Sequence, residues 1–456
     1  MARAGAARGE IQMTEGSLWK NILLFSIPLV FSQLLQVMFN MADVAVVGKF
    51  ANATALGSVG STTTLVTLFT GFLIGLGSGV NVRVAQHLGA RQDEDTKNAV
   101  HTSLLICTLA GVIISLLCFF LAGPMLRVLK TKEDLLPGAE LYFRIYALGM
   151  PALGIFNFGN AVLSANGDTK RPLVYLTAAG ILNVLLNLFF VIGCKMAAEG
   201  VALASILSQY VSAVLVLVHM LRMKDACRVQ WKQMRFHKEE TARLLALGVP
   251  AGVQNMIFAV ANLFIQVGVN SFDSTMVSGN SAAANTDSIV YNVMAAFYTA
   301  CSTFMGQNWG AGNRDRMIRS YYVSLAYAFL SGALVGLGLL WFGEGFLYLF
   351  TNDAEVVAAG MLRMRIMCFS YALSAFMDCT IAASRGIGRS LVPTVIVVLG
   401  SCVFRVIWVY TVFAYFHSIP SLYLLYAFSW TITSLAEIIY FAACWRKMKN
   451  KKTAPI

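Results

Sequence analysis

Charged side chains are scarce in this sequence. They make up 12% of its 456 residues, whereas 58% of the residues are hydrophobic. A soluble globular protein contains about 25% charged residues. None of the nine cysteines forms a Cys-x-x-Cys pair, so neither a disulfide framework nor a zinc site is predicted. The sequence also lacks a GxxxxGK[ST] phosphate-binding loop and any Cys, Ser or His nucleophile motif. We therefore expect an integral membrane protein that is not an enzyme and uses no cofactor.

The sequence contains many long runs of apolar residues. A run of about 20 apolar residues is long enough to cross the hydrocarbon core of a bilayer as a helix. Twelve such runs predict an all-α fold with twelve transmembrane helices. The spans cover approximately residues 22–47, 55–82, 99–122, 140–164, 172–193, 200–221, 243–270, 279–305, 320–341, 360–383, 391–416 and 421–444.

The positive charges are distributed unevenly between the loops. One set of loops, together with both termini, holds 25 of the 34 Lys and Arg residues, and Arg405 lies inside a predicted span. The positive-inside rule therefore places both termini in the cytoplasm. This topology explains the net charge of +12, so we expect a lipid bilayer around the chain and no nucleic acid partner. The loops on the opposite side of the predicted membrane hold eight Lys and Arg residues, at positions 49, 127, 130, 132, 144, 195, 363 and 365.

The first thirteen residues contain no apolar segment of the kind found in a cleavable signal peptide. They are interpreted as an N-terminal tail, an artificial extension, or residues that precede a true start at Met13.

The two halves of the chain repeat one another at an offset of about 221 residues. Six spans per repeat is an even number, so both halves keep the same orientation and are related by a pseudo-two-fold axis along the membrane normal. We predict an N-terminal lobe at 14–222, a basic linker at 223–242, a C-terminal lobe at 243–445 and a basic tail at 446–456. The matching motifs are SIPLVFSQ (26–33) with GVPAGVQN (248–255), AQHLGAR (85–91) with GQNWGAG (306–312), and LSANGDTKRP (163–172) with SRGIGRSLVP (384–393).

Five motifs together indicate a known family. They are Asp43…Val47-Gly48, the Gln-x-x-Gly-Ala turns at 86–90 and 307–311, the Gly…Pro turns after spans four and ten, Asn183-x3-Asn187, and EGVALAS (199–205). With these motifs the chain resembles multidrug and toxic compound extrusion (MATE) transporters, from Met13 to about Lys449. The resemblance implies two six-helix lobes in a bacterial cytoplasmic membrane. It also implies efflux of organic cations or amphipathic drugs, driven by an inward H⁺ or Na⁺ gradient. We expect a monomer.

Asp43 lies within the first apolar span. An unpaired ionised carboxylate at a helix centre in a bilayer costs about 2.5–3.5 kcal/mol or more. At 1.5 Å per residue, Asp43, Asn187 and Ser205 each lie roughly 7 Å below the outer surface, with Asn183 one turn deeper. The resemblance implies that Asp43 is the coupling acid and that Asn183, Asn187 and Ser205 are its polar neighbours. A Na⁺ ion would bind at Asp43, Asn183 and Asn187, but asparagine at 187, where some members have a second acid, favours H⁺. The alternatives are that Asp43 caps a bent helix or reaches water, and that the asparagines only join helices.

Four other charged residues lie well inside predicted spans, away from the span ends. Arg405 and Glu437 share a compatible depth and predict a structural ion pair. Asp287 and Asp378 are predicted to face a cavity between the lobes and attract a cationic substrate. Further candidates for that cavity are Met38, Phe39, Met256, Tyr291 and Met294, although core packing explains these residues equally well.

Two pairs of repeated residues are candidates for gating. Pro28 and Pro250 interrupt helix hydrogen bonding within spans one and seven, which indicates either bending or a static kink. Gln86 and Gln307 occupy equivalent turns and are assigned a gating or structural role.

Three alternative functions would each require a particular feature in the sequence. A lipid-linked oligosaccharide flippase of the same superfamily should have several basic residues in its cavity, and only Arg405 lies deep. A membrane receptor that does not transport should carry an added soluble domain. A membrane enzyme should show a catalytic cluster, whereas only isolated acids are present.

Overall fold

The computed structural model describes residues 11–450, which contain helices and no strand. The predicted tails at 1–10 and 451–456 lie outside the described residues. The first half contains α1 (Leu18–Phe50), α2 (Ala53–Ala90), α3 (Asp93–Val128), α4 (Leu136–Ala147), α5 (Met150–Ala165), α6 (Lys170–Leu188) and α7 (Ala198–Arg222). A 3-10 turn (Trp231–Gln233) precedes the second half, which contains α8 (Lys238–Val269), α9 (Ser274–Gly310), α10 (Arg314–Leu347), α11 (Ala354–Gly386), α12 (Leu391–Val397), α13 (Phe404–Trp408), α14 (Ala414–Phe416) and α15 (Ile419–Asn450).

Short π-helical turns modify two of the predicted spans. One turn, Phe189–Gly193, extends α6. Two others, Val398–Val403 and Val409–Phe413, join α12, α13 and α14 into a single apolar segment. Arg405 lies on α13, between these two turns. π-Turns inside helices often occur at functional positions.

Within the described chain, ten helical segments are long and apolar enough to cross a membrane. The number rises to eleven when α4 and α5, which meet at an angle of 44°, count as one bent span. Pro151 at the start of α5 has no N–H to continue the preceding helix, which accounts for the break. The twelfth long helix is α9, whose 37 residues include Asn280, Thr286 and Asp287 and therefore make it less apolar. The predicted all-α fold is confirmed.

The described residues form two compact units, and each unit contains part of both α1 and α8. The first unit comprises residues 11–12 and 31–256, and the second comprises residues 13–30 and 257–450. The division of α1 lies just after Pro28, and that of α8 lies just after Met256. The division between the two units therefore lies within α1 and α8 and not in the basic linker at 223–242.

Specific contacts hold the beginning of α1 in the second unit. The Phe25 ring packs edge-on against Phe304 of α9, with 5.5 Å between ring centroids. The backbone carbonyl of Met13 accepts hydrogen bonds from Asn308 Nδ2 at 3.2 Å and from Arg316 Nε at 2.9 Å. Arg316 also donates to the carbonyls of Glu15 and Gly16. These contacts explain why residues 13–30 pack with the second half of the chain.

The beginning of α8 is held in the first unit by a buried ion pair and by close helix packing. Glu240 accepts two hydrogen bonds from Arg83 of α2, at 2.7 and 2.8 Å, and His87 lies 3.2 Å from the same carboxylate. Further along, a Cβ atom at Gly79 would lie only 2.6 Å from the backbone nitrogen of Gly248. Small residues therefore allow α2 and α8 to approach backbone to backbone.

Candidate functional site

Asp43 lies on the second half of α1, where two side chains from other helices donate hydrogen bonds to its carboxylate. Asn187 Nδ2, near the end of α6, donates to Asp43 Oδ1 at 2.5 Å. Ser205 Oγ, in the first half of α7, donates to Asp43 Oδ2 at 3.2 Å. Asn187 and Ser205 are both buried. The structure therefore joins three helices through one acidic side chain.

The fourth predicted member, Asn183, lies one turn before Asn187 on α6. Its Oδ1 accepts a second, longer hydrogen bond from Asn187 Nδ2, at 3.3 Å. Asn187 Oδ1 is buried and has no hydrogen-bond partner among the described residues. The site, which we call the Asp43 cluster (Asp43, Asn183, Asn187 and Ser205), therefore combines a carboxylate with donors and one unused amide oxygen.

Two tyrosines of α4 that the sequence analysis did not select lie within electrostatic range of Asp43. Tyr142 and Tyr146 stack with 6.0 Å between ring centroids, and both interact electrostatically with the Asp43 carboxylate. The Tyr146 hydroxyl accepts a hydrogen bond from Gln209 Nε2 at 3.3 Å. Their position near the start of span four was the available signal, because it gives them a depth similar to that of Asp43. Their i, i+4 spacing places both side chains on one face of the helix.

An apolar cluster surrounds this polar site. Val46 and Val47 of α1 pack with Tyr142, Val191 and Val201, all of them buried. In such surroundings, hydrogen bonds to the carboxylate are stronger than in water, and an unsatisfied charge is more costly.

The second unit contains a different acidic site, in which Asp287 is neutralised. Arg363 of α11 donates to Asp287 Oδ2, and the Tyr371 hydroxyl donates to Asp287 Oδ1. Arg363 also donates to Asn280 Oδ1 at 2.7 Å, and that oxygen accepts a further bond from the Tyr423 hydroxyl at 2.6 Å. Arg363 therefore already balances the charge of Asp287, which was expected to attract a cationic substrate. Arg363 had been assigned to a loop, but it is a buried residue of α11.

The predicted Arg405–Glu437 ion pair does not form. The Arg405 guanidinium lies against the rings of Tyr426, Trp430 and Phe258, at 4.5, 5.7 and 5.6 Å from their centroids. Its Nε donates to Ser429 Oγ at 3.2 Å. Both carboxyl oxygens of Glu437 are buried without a hydrogen-bond partner in the described chain. Aromatic faces have replaced the expected carboxylate as the partner of this arginine.

The remaining predicted residues are spread over several environments. Asp378 is half-buried and interacts electrostatically with Arg385 and Arg405. Met294 is 1% exposed and lies against Gly332 of α10, so it does not line an open cavity here. Met38 and Tyr291 are exposed, Met256 is half-buried, Phe39 packs over Gly180, Gln86 and Gln307 are buried, and Pro28 and Pro250 lie inside continuous helices.

The comparisons with known proteins agree with the duplicated motifs. The family model described as MatE matches the chain twice, over residues 28–189 and over residues 250–411. The probable multidrug resistance protein YpnP of Bacillus subtilis is 30% identical, over 78% of this chain and 80% of its own length. The FAD transporter of Shewanella oneidensis is 25% identical, over 70% of this chain and 71% of its own length.

The fold of this chain is similar to that of a solved structure. That structure is the outward-facing conformation of a multidrug resistance MATE family transporter of the MOP superfamily, and it matches this chain with a TM-score of 0.90. The match covers 98% of this chain and 100% of that chain at 20% identity, which supports the predicted twelve helices in two lobes. The chain belongs to the MatE family of membrane transporters.

Proposed function

We propose that this protein is a secondary multidrug exporter that moves organic cations or amphipathic drugs outward in exchange for H⁺, with Asp43 as the coupling carboxylate. The observation that carries the proposal is the pair of hydrogen bonds that α6 and α7 donate to Asp43. An acid that joins three helices within an apolar cluster can transmit its protonation state to all three. The multidrug resistance relative from Bacillus subtilis supports the choice of cargo.

Protonation of Asp43 would change the bonding of the Asp43 cluster. The ionised carboxylate accepts from both Asn187 and Ser205, whereas a protonated carboxyl must donate from one oxygen. The unused Oδ1 of Asn187 is a suitable acceptor once its amide group rotates. That rotation would break the present bond from Asn187 Nδ2 to Asp43. A proton would therefore favour a different arrangement of α1, α6 and α7, as coupling between two conformations requires.

Na⁺ is the second candidate for the driving ion. The cluster supplies carboxylate, amide and hydroxyl oxygens, which suit a hard cation. However, the amide nitrogen of Asn187 now lies between Asp43 Oδ1 and Asn183 Oδ1. Na⁺ would require this nitrogen to turn away and an oxygen to replace it, so H⁺ fits the present arrangement better.

The proposal includes an orientation in a bacterial cytoplasmic membrane, with both termini inside and one chain as the transporting unit. It is supported by the excess of Lys and Arg in the loops on the side of the termini. The lipid-linked oligosaccharide flippase is less well supported, because both buried arginines of the second unit are already engaged. Arg363 is bound to Asp287 and Asn280, and Arg405 is enclosed by aromatic rings.

The test is transport by the purified protein in proteoliposomes. We expect a fluorescent organic cation to move against its gradient when a pH gradient is imposed, and not when only a Na⁺ gradient is imposed. Movement driven by Na⁺ alone would assign Na⁺ as the driving ion. Movement under neither gradient, with the protein folded, would contradict the proposed export.

A further inference from the structure

Glu437, in the C-terminal half of α15, is a fully buried acid without a hydrogen-bond partner. Its exposed fraction is 0%, and neither Oε1 nor Oε2 accepts or donates a hydrogen bond among the described residues. No Lys, Arg or His nitrogen of the described chain lies within 4.0 Å of its carboxyl group, since none of the ion pairs includes it. The proposed coupling mechanism does not use this residue.

An ionised carboxylate is not stable in this environment. Burying a charge without a counter-ion or donors is very unfavourable, and such a group is neutralised by a proton instead. Asp43 differs, because two donors already satisfy its carboxylate oxygens. We infer that Glu437 carries a proton in this conformation and is a second proton-binding group of the protein, located in the second unit.

Several helical segments that pack against α15 carry charged or titratable groups, and α10 contributes Tyr321, whose ring centroid lies 5.1 Å from that of Phe441 on α15. Helix α11 contributes Asp378 and Arg385, which both interact electrostatically with Glu437. The broken segment Leu391–Phe416 contributes Cys402 and Arg405, which are both buried. Tyr440 is the neighbour on α15 itself. Arg385 is the cation that interacts electrostatically with Glu437, so its approach would stabilise an ionised Glu437.

The proposed step is a reversible proton transfer. The Glu437 carboxyl releases H⁺ and becomes a carboxylate when the Arg385 guanidinium comes within ion-pair distance, and it takes up H⁺ when the two separate. The role of Glu437 in transport rests on the proposed function. In that role, Asp43 and Glu437 would each carry one proton per transport cycle. The presence of the proton on Glu437 does not depend on transport.

Infrared difference spectroscopy of the purified protein tests the proton directly. At neutral pH we expect a carboxylic acid C=O stretching band that shifts in D₂O and is lost in Glu437→Gln. The matched control is Glu344→Gln, which makes the same change at an exposed position of α10 and should keep the band. Glutamine has nearly the shape of a protonated glutamate, so we expect Glu437→Gln to fold with an unchanged melting temperature. A spectrum that is the same with and without Glu437 would overturn the inference.

A second measurement tests its role in transport. In proteoliposomes, the number of protons exchanged per substrate should fall by one in Glu437→Gln, and should not change in Glu344→Gln. If the infrared band is lost but the proton-to-substrate ratio is unchanged, the proton is static and the coupling role is refuted. If the intact protein shows no gradient-driven transport, the proposed function fails, while the infrared result still decides whether Glu437 is protonated.

Discussion

Charged side chains within the apolar helices of this protein are stabilised in three different ways. Asp43 is held by neutral donors, Asn187 Nδ2 and Ser205 Oγ. Asp287 has an ion pair with Arg363, and Arg405 lies against aromatic faces. Of these three arrangements, only the first leaves an acid without a fixed counter-ion, so a proton or a cation from solution can supply the missing charge at Asp43. This difference is why the proposed mechanism uses Asp43, and not Asp287, as the coupling group.

The buried ion pair between Arg83 and Glu240 gives a stability prediction. Arg83→Gln leaves a buried carboxylate without its main partner, and breaking such a pair destabilises a protein by about 3–5 kcal/mol. We expect a clearly lower melting temperature for the detergent-solubilised protein. Adding Glu240→Gln should restore most of the loss, because no unpaired charge then remains.

The control for this pair is Lys97→Gln, which removes the exposed partner of Glu94. Exposed pairs contribute about 0–1 kcal/mol, so this variant should melt close to the intact protein. Equal losses in Arg83→Gln and Lys97→Gln would refute a special role for the buried pair.

The residues of the Asp43 cluster could be predicted from the sequence, whereas the partners of Arg405 and Glu437 could not. A helix rises by a constant amount per residue, so position along a span gives depth in the membrane. The predicted depths placed Asp43, Asn187 and Ser205 at the same level of the membrane. In the structure, Asn187 and Ser205 both donate hydrogen bonds to Asp43. Depth does not give rotation about the helix axis. Arg405 therefore meets Tyr426 rather than Glu437, although the predicted depths of the two charges match.

Close helix packing in the first unit depends on glycine at particular turns. A Cβ atom at Gly75 or Gly79 of α2 would meet the backbone of α8 at Gly252 or Gly248. By contrast, a Cβ atom at Gly60, on the same helix, would have no heavy atom within 4 Å. Gly71, Gly75 and Gly79 recur every four residues in the sequence and so share one face of a helix. This spacing does not identify the neighbouring helix, so the contact with α8 could not be predicted from it.

The two glycines of α2 predict opposite results for the same substitution. Gly79→Ala should force α2 and α8 apart and destabilise the protein by about 1–3 kcal/mol, as overpacking usually does. Gly60→Ala should leave stability unchanged or raise it by about 0.5–1 kcal/mol, because alanine favours a helix more than glycine does. Melting curves of both variants in one detergent provide the comparison. A more damaging effect of Gly60→Ala would contradict the described packing.

Hydropathy alone identifies eleven of the twelve long segments, because α9 turns polar groups toward other helices. Asn280 and Asp287 of α9 bind Arg363 of α11, so these polar side chains are satisfied within the protein. The sequence analysis nevertheless includes residues 279–305 among the twelve predicted spans.

At the scale of the whole molecule, duplication has produced two halves with different chemistry. The MatE model matches each half, over residues 28–189 and 250–411. Near the position that corresponds to Asp43, however, the second half has Ile265 and Gln266. The acids Asp287 and Glu437 of the second half occur on α9 and α15 instead. The repeat could be predicted from aligned motifs, but the partners of the charged side chains in each half could be identified only from the structure.

The most direct test of the central claim is transport by Asp43→Asn in proteoliposomes under an imposed pH gradient. The matched control is Asp134→Asn, which makes the same change at an exposed position between α3 and α4. We predict that Asp43→Asn folds and binds the fluorescent cation but loses gradient-driven movement, whereas Asp134→Asn retains it. Undiminished transport by Asp43→Asn would contradict the account and show that Asp43 is not the coupling carboxylate.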